Sequence, residues 1–138
     1  MKMRNKYTFD IDKTVSYWVE SSKYDLRVAE AMFRAKKYPY ALFIFMGHLA
    51  LKKLLKGLVV KRTKAHAPFS HSLPYLAKSS GITIPEPIQI RLSEFMEFHR
   101  EARYPDASRA FYKKSTERYT GPKLKEIKGV FKWLRGKL

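Results

Sequence analysis

Between Ala41 and Leu51 the chain is apolar on almost every side of the helix it would form, with Phe43, Phe45, Met46 and Leu49 facing different directions. A helix that is apolar all round must be covered all round, so it lies at the middle of a helical bundle or in a dimer interface. The apolar run is too short to span a bilayer and is closed by Lys52 and Lys53, which argues against a membrane span. Pro39 suits the first helical position, and the pattern predicts a helix over residues 39–60.

The other segments read as helices that pack around this one. Val15, Trp18, Val19, Ser22, Leu26, Ala29 and Phe33 recur at helical spacing, so a helix is expected from a Thr14 or Ser16 cap to about residue 36. A short helix follows over about residues 72–78, ended by Ser79-Ser80-Gly81. Another starts near Pro87, carries Ile88, Leu92, Phe95, Met96 and His99, and stops before Pro105. Residues 103–122 are irregular and Tyr-rich, after which Leu124, Ile127, Val130, Phe131 and Leu134 mark a last helix. The expectation is an all-α, up-and-down bundle of about five helices in one domain over 1–138, its core running from about residue 14 to 136.

A formal net charge of +17 attracts polyanions and repels itself, which favours a nucleotide, RNA or an acidic partner over a neutral ligand. Surface lysines also serve solubility alone, and the single Asn5 and single Gln89 fit a thermophilic source. The absence of cysteine removes thiol chemistry, and the N-terminus lacks the apolar stretch of a secretory signal, so a cytoplasmic location is expected. There is no Gly-rich phosphate loop, zinc spacing or paired carboxylates, and the 12 acids are mostly single, so no cofactor or metal is expected.

Three groups of residues have functional chemistry. Lys52, Lys53, Lys56, Lys61, Arg62 and Lys64 make an electrostatic footprint unbroken by an acid, with the segment from Lys61 onward read as a basic loop. His99, Arg100 and Arg103 form a second group: two guanidinium groups three residues apart share a helix face and can clamp a phosphate, with Tyr104 to stack on a base. Glu101 and Asp106 are equally placed to pair with those arginines and make the group structural. His71 and His48 can act as base or phosphate ligand, although a histidine at a helix start or on a packed helix also serves as a hydrogen-bonding core residue.

The order of the pieces carries a resemblance. A helix with Asp25-Leu26 is followed by Tyr38-Pro39-Tyr40-Ala41-Leu42-Phe43, then by Gly47-His48-Leu49-Ala50-Leu51-Lys52-Lys53-Leu54-Leu55-Lys56-Gly57. Ser70-His71-Ser72-Leu73 with Leu76, the Arg103-Tyr104-Pro105-Asp106 stretch and the terminal helix complete it. From about residue 15 to 134 the chain resembles the HEPN family, the nucleotide-binding helical domain of higher eukaryotes and prokaryotes. The resemblance implies a dimeric bundle, often paired with a minimal nucleotidyltransferase as a toxin–antitoxin system. Many members of the family are metal-independent ribonucleases through an Arg-Asn-x-x-x-His segment. Here Phe98-His99-Arg100-Glu101-Ala102-Arg103 has no histidine after either arginine at that spacing, and Lys52 stands where the family commonly has Glu.

The leading expectation is therefore a HEPN-like module that binds a nucleotide, RNA or a nucleotidyltransferase partner through Arg100, Arg103, Tyr104, Lys52, Lys56 and Arg62. The alternatives are a ribonuclease using His99 or His71 with Arg100 or Arg103 in a rearranged dimeric site, and a purely structural homodimerisation domain.

Overall fold

The computed structural model describes residues 9–37, 39–101 and 105–138, and for 98–101 and 105–108 the backbone alone. Among the described residues there are six helices and no strand. Helix α1 (Ile11–Arg34) starts earlier than Thr14 or Ser16, because the Asp10 side chain accepts a hydrogen bond from the Lys13 N–H at 3.0 Å. A carboxylate at this position both satisfies an orphan donor and faces the positive end of the helix. Val19, Ser22, Leu26 and Ala29 form its buried stripe.

Helix α2 (Tyr40–Thr63) is the centre of the bundle, with thirteen buried residues distributed round its circumference, from Ala41 and Phe43 to Val59 and Val60. Pro39 is its N-cap, one place earlier than expected, and the helix runs on to Thr63, where Lys64 turns left-handed at φ 61°. Lys61 and Arg62 thus belong to its last turn and not to a loop. Cations there oppose the negative end of the macrodipole, which is why the helix tolerates them.

Two glycines let neighbours approach this axis. A Cβ on Gly47 would meet Ile127 Cδ1 at 2.9 Å, and one on Gly57 would meet Val19 Cγ2 at 3.2 Å. The contacts Phe33 to Tyr40, Asp25 to Lys53 and Trp18 to Lys56 show that α1 and α2 are antiparallel neighbours.

Helix α3 (Leu73–Ser79) is capped by Ser72, whose Oγ accepts from the Tyr75 N–H at 3.2 Å, and α4 (Glu86–Glu101) packs on α2 and α3. The stretch expected to be irregular is instead helical. Helix α5 (Pro105–Lys114) is held by the buried Phe111, and α6 (Glu117–Arg135) begins seven residues before Leu124. Thr116 caps α6 by accepting from the Tyr119 N–H at 3.2 Å, and Pro122 is absorbed inside the helix. The capped start and the burial of Thr120 and Leu124 outweigh the one backbone hydrogen bond that a proline removes. Helix α6 runs antiparallel to α1, since Gly121 lies beside Phe33 and Lys128 pairs with Glu30 at 3.4 Å. No helix of the described residues is long and apolar enough to cross a membrane.

Candidate nucleic-acid interface

Midway along α2, where its surface emerges between α1 and the loop before α3, three lysines stand together. Lys53 Nζ is 2.7 Å from Asp25 Oδ2 and donates to Ser21 Oγ at 2.8 Å. Lys56 Nζ lies 5.2 Å from the centre of the Trp18 ring, a cation–π distance. Lys52 Nζ reaches to 3.5 Å from His71 Nδ1. Trp18, Ser21 and Asp25 share one face of α1 because they are three and four residues apart.

The electrostatics are lopsided. Burial, then the charges of Lys56 and Lys53, push the Lys52 ammonium below its ordinary lysine range, while Asp25 pulls the other way. Burial also lowers Lys56. Asp25 is already engaged by Lys53, so the cluster carries more positive charge than its own acid neutralises. An anion arriving at Lys52 and Lys56 would remove a cost that the folded chain carries, and a phosphate supplies acceptor oxygens for both.

His71 is exposed, yet its backbone is held. Ser72 N–H donates to Ser70 Oγ at 3.1 Å, Leu73 is fully buried, and the Leu73 N–H points to Met96 Sδ at 3.2 Å. That contact ties the His71 loop to α4 one turn before His99 and Arg100. The backbone of both these residues lies in α4, while their side chains, and the whole of Arg103 and Tyr104, fall outside the described residues.

Lys52, Lys56 and His71 are thus brought together, and Arg62 is not. Arg62 is ten residues beyond Lys52, about 15 Å along the helix. Its Nη2 donates to the Lys137 carbonyl at 3.2 Å. His48 is fully buried and stacks on Phe45 at 6.1 Å, out of reach of any ligand, so it belongs to the core. Trp18, Ser21 and Asp25 are the members that the sequence reading missed. The signal was present, since a tryptophan, a serine and an acid at i, i+3 and i+7 border the apolar stripe of the first helix.

The architecture defines a class: an all-helical bundle built on a central apolar helix, with a lysine cluster between that helix and the first. The HEPN domain profile matches residues 15–137, and the chain belongs to the HEPN domain family. Two solved structures share the fold. One is TT1696 from Thermus thermophilus, 21% identical, with a TM-score of 0.73 over 90% of this chain and 98% of that one. The other is ST0689, described as an archaeal HEPN homologue, 21% identical, with a TM-score of 0.66 over 89% and 96% of the two chains. No curated protein matches the sequence.

Proposed function

We propose that this chain is a HEPN module that binds the phosphate groups of a nucleotide or RNA at Lys52, Lys56 and His71, without the Arg-to-His ribonuclease arrangement. The observation that carries the reading is the half-buried Lys52, set between two other lysines and 3.5 Å from the exposed His71. Two groups that both bear or accept a proton, packed this closely beside further cations, suit an anion placed across them. Trp18 and the stem of Lys56 form one wall of the site and fix the Lys56 charge.

A charge-assisted hydrogen bond contributes about 1.5–3 kcal/mol, so removing Lys52 weakens phosphate binding roughly ten- to hundredfold. The test is fluorescence titration of labelled ATP and of single-stranded RNA, with and without EDTA, against wild type and Lys52→Met/Lys56→Met. Salt-sensitive retention without cleavage, lost in the double variant, supports the proposal. Equal affinity of the variant and wild type sinks it. EDTA-resistant cleavage abolished by His71→Ala, His99→Ala or Arg103→Ala favours the ribonuclease alternative, which draws support from the Leu73–Met96 contact that brings the His71 loop beside the end of α4. Family membership also supports a homodimer and a minimal nucleotidyltransferase as the protein partner, and sedimentation alone and with such an enzyme tests both.

A further inference from the structure

A second cationic surface lies on the other side of α1. Trp18, Ser21 and Asp25 face the lysine cluster, whereas Lys23, Arg27 and Glu30 sit roughly 170° round the helix from them, at 3.6 residues per turn. This far face meets α6 across a groove of about 500 Å³. Leu26 and Phe131 form its floor. Lys23 and Arg27 line one wall, and Lys128, Lys132 and Arg135 the other.

The register of the two antiparallel helices decides how these charges face. With Glu30 paired to Lys128 at 3.4 Å, Arg27 comes opposite Lys132 and Lys23 opposite Arg135. One end of the groove is therefore neutralised, and two facing pairs of cations follow, one helical turn or about 6 Å apart. Lys23 shares Glu20 at 3.4 Å, while Arg27, Lys132 and Arg135 have no ion-pair partner among the described residues. Like charges facing one another across an open groove are stabilised by anions placed between them.

The floor decides which polyanion. Leu26 is only 7% exposed and Phe131 only 5%, so little apolar surface remains for a docking peptide to cover. An acidic helix laid here would gain charge contacts and almost no hydrophobic contact, whereas a phosphodiester backbone needs charge contacts only. We infer that the α1/α6 groove is a binding site for the phosphodiester backbone of a single-stranded nucleic acid, with Arg27, Lys132, Lys23 and Arg135 gripping successive phosphates. The site is separate from the Lys52 cluster and shares with that reading only the class of ligand.

The experiment is a titration of the isotope-labelled full chain with tetrauridylate, too short to engage opposite faces of the bundle at once, followed by amide chemical shifts. Shifts in α1 and α6 around Arg27 and Lys132 are expected, retained in Lys52→Met/Lys56→Met and lost in Arg27→Gln/Lys132→Gln. The latter variant also lowers the salt slope of binding to a longer oligouridylate by about 1.4, at roughly 0.7 per phosphate released. Shifts confined to the Lys52 face overturn the groove and leave the proposed function standing. Shifts confined to the groove do the reverse, and none on either face defeats both. Displacement of tetrauridylate from the groove by an equimolar oligoglutamate makes it an acidic-protein site and overturns the inference, as does a response to tripolyphosphate with none to tetrauridylate.

Discussion

Asp25 is the acid on which the lysine cluster depends, and Asp25→Asn measures how much. The carboxylate is 15% exposed and its partner Lys53 24%, at 2.7 Å, between a surface pair and a buried one. Exposed pairs contribute about 0–1 kcal/mol, and removing one partner of a buried pair costs about 3–5 kcal/mol, so about 2 kcal/mol is expected here. The loss is more than one bond, because Lys52, Lys53 and Lys56 are left repelling each other with their shared acid gone. For 138 residues the unfolding entropy is about 290 cal/mol/K, so 2 kcal/mol lowers Tm by about 7 °C. Urea and thermal unfolding of Asp25→Asn, Lys53→Met and the double variant give the coupling directly. The double variant should recover at least about 1 kcal/mol relative to the sum of the singles, since neither charge is then stranded. A loss under about 0.5 kcal/mol for Asp25→Asn, or strict additivity, would refute the reasoning.

Three other outcomes follow from the same geometry. Gly47→Leu should cost about 1–3 kcal/mol by driving a side chain into Ile127, whereas Gly129→Ala, with open space around its Cβ, should gain about 1 kcal/mol of helix propensity; urea midpoints of both variants decide this. Phe111→Ala, at the buried anchor of α5, should lose about 3–5 kcal/mol, and a cost under about 1 kcal/mol would mean that α5 is not docked as described. The folded-state pKa of Lys52 lies below its unfolded value of 10.5, so between the two the unfolded chain holds more protons and stability rises with pH. The charge is therefore a cost at neutral pH, and Lys52→Met should raise Tm there by a margin that shrinks as pH approaches 10.5. A margin that grows with pH would contradict the sign.

Much of the fold was legible because helices announce themselves locally. The all-round apolar character of Ala41 to Leu51 already requires neighbours on every side, and the stripe from Val15 to Phe33 requires one partner face. The same local rules failed between residues 103 and 122. Proline reads there as a boundary, while the deciding facts are the burial of Phe111 and a Thr116 cap able to outweigh Pro122. The start of α1 also differs, because Asp10, Thr14 and Ser16 all carry capping oxygens and only the backbone geometry selects the one that meets an orphan N–H.

The candidate site divides along the same line. Residue type and spacing on one helix show Lys52, Lys53 and Lys56 as a basic segment, since these depend on positions a few residues apart. That Lys53 is taken by Asp25, that His71 arrives beside Lys52 from nineteen residues away, and that Arg62 points to the chain end are matters of helix pairing. The α1/α6 groove is the clearest case, because its two walls are about a hundred residues apart in sequence. By itself the sequence determined that the chain forms helices, which of their faces are apolar, and how strongly positive the protein is. The tertiary structure decided which charges neutralise one another and which are left facing an opening, because that depends on distances across helix interfaces, and electrostatic energy is set by distance and burial and not by order along the chain.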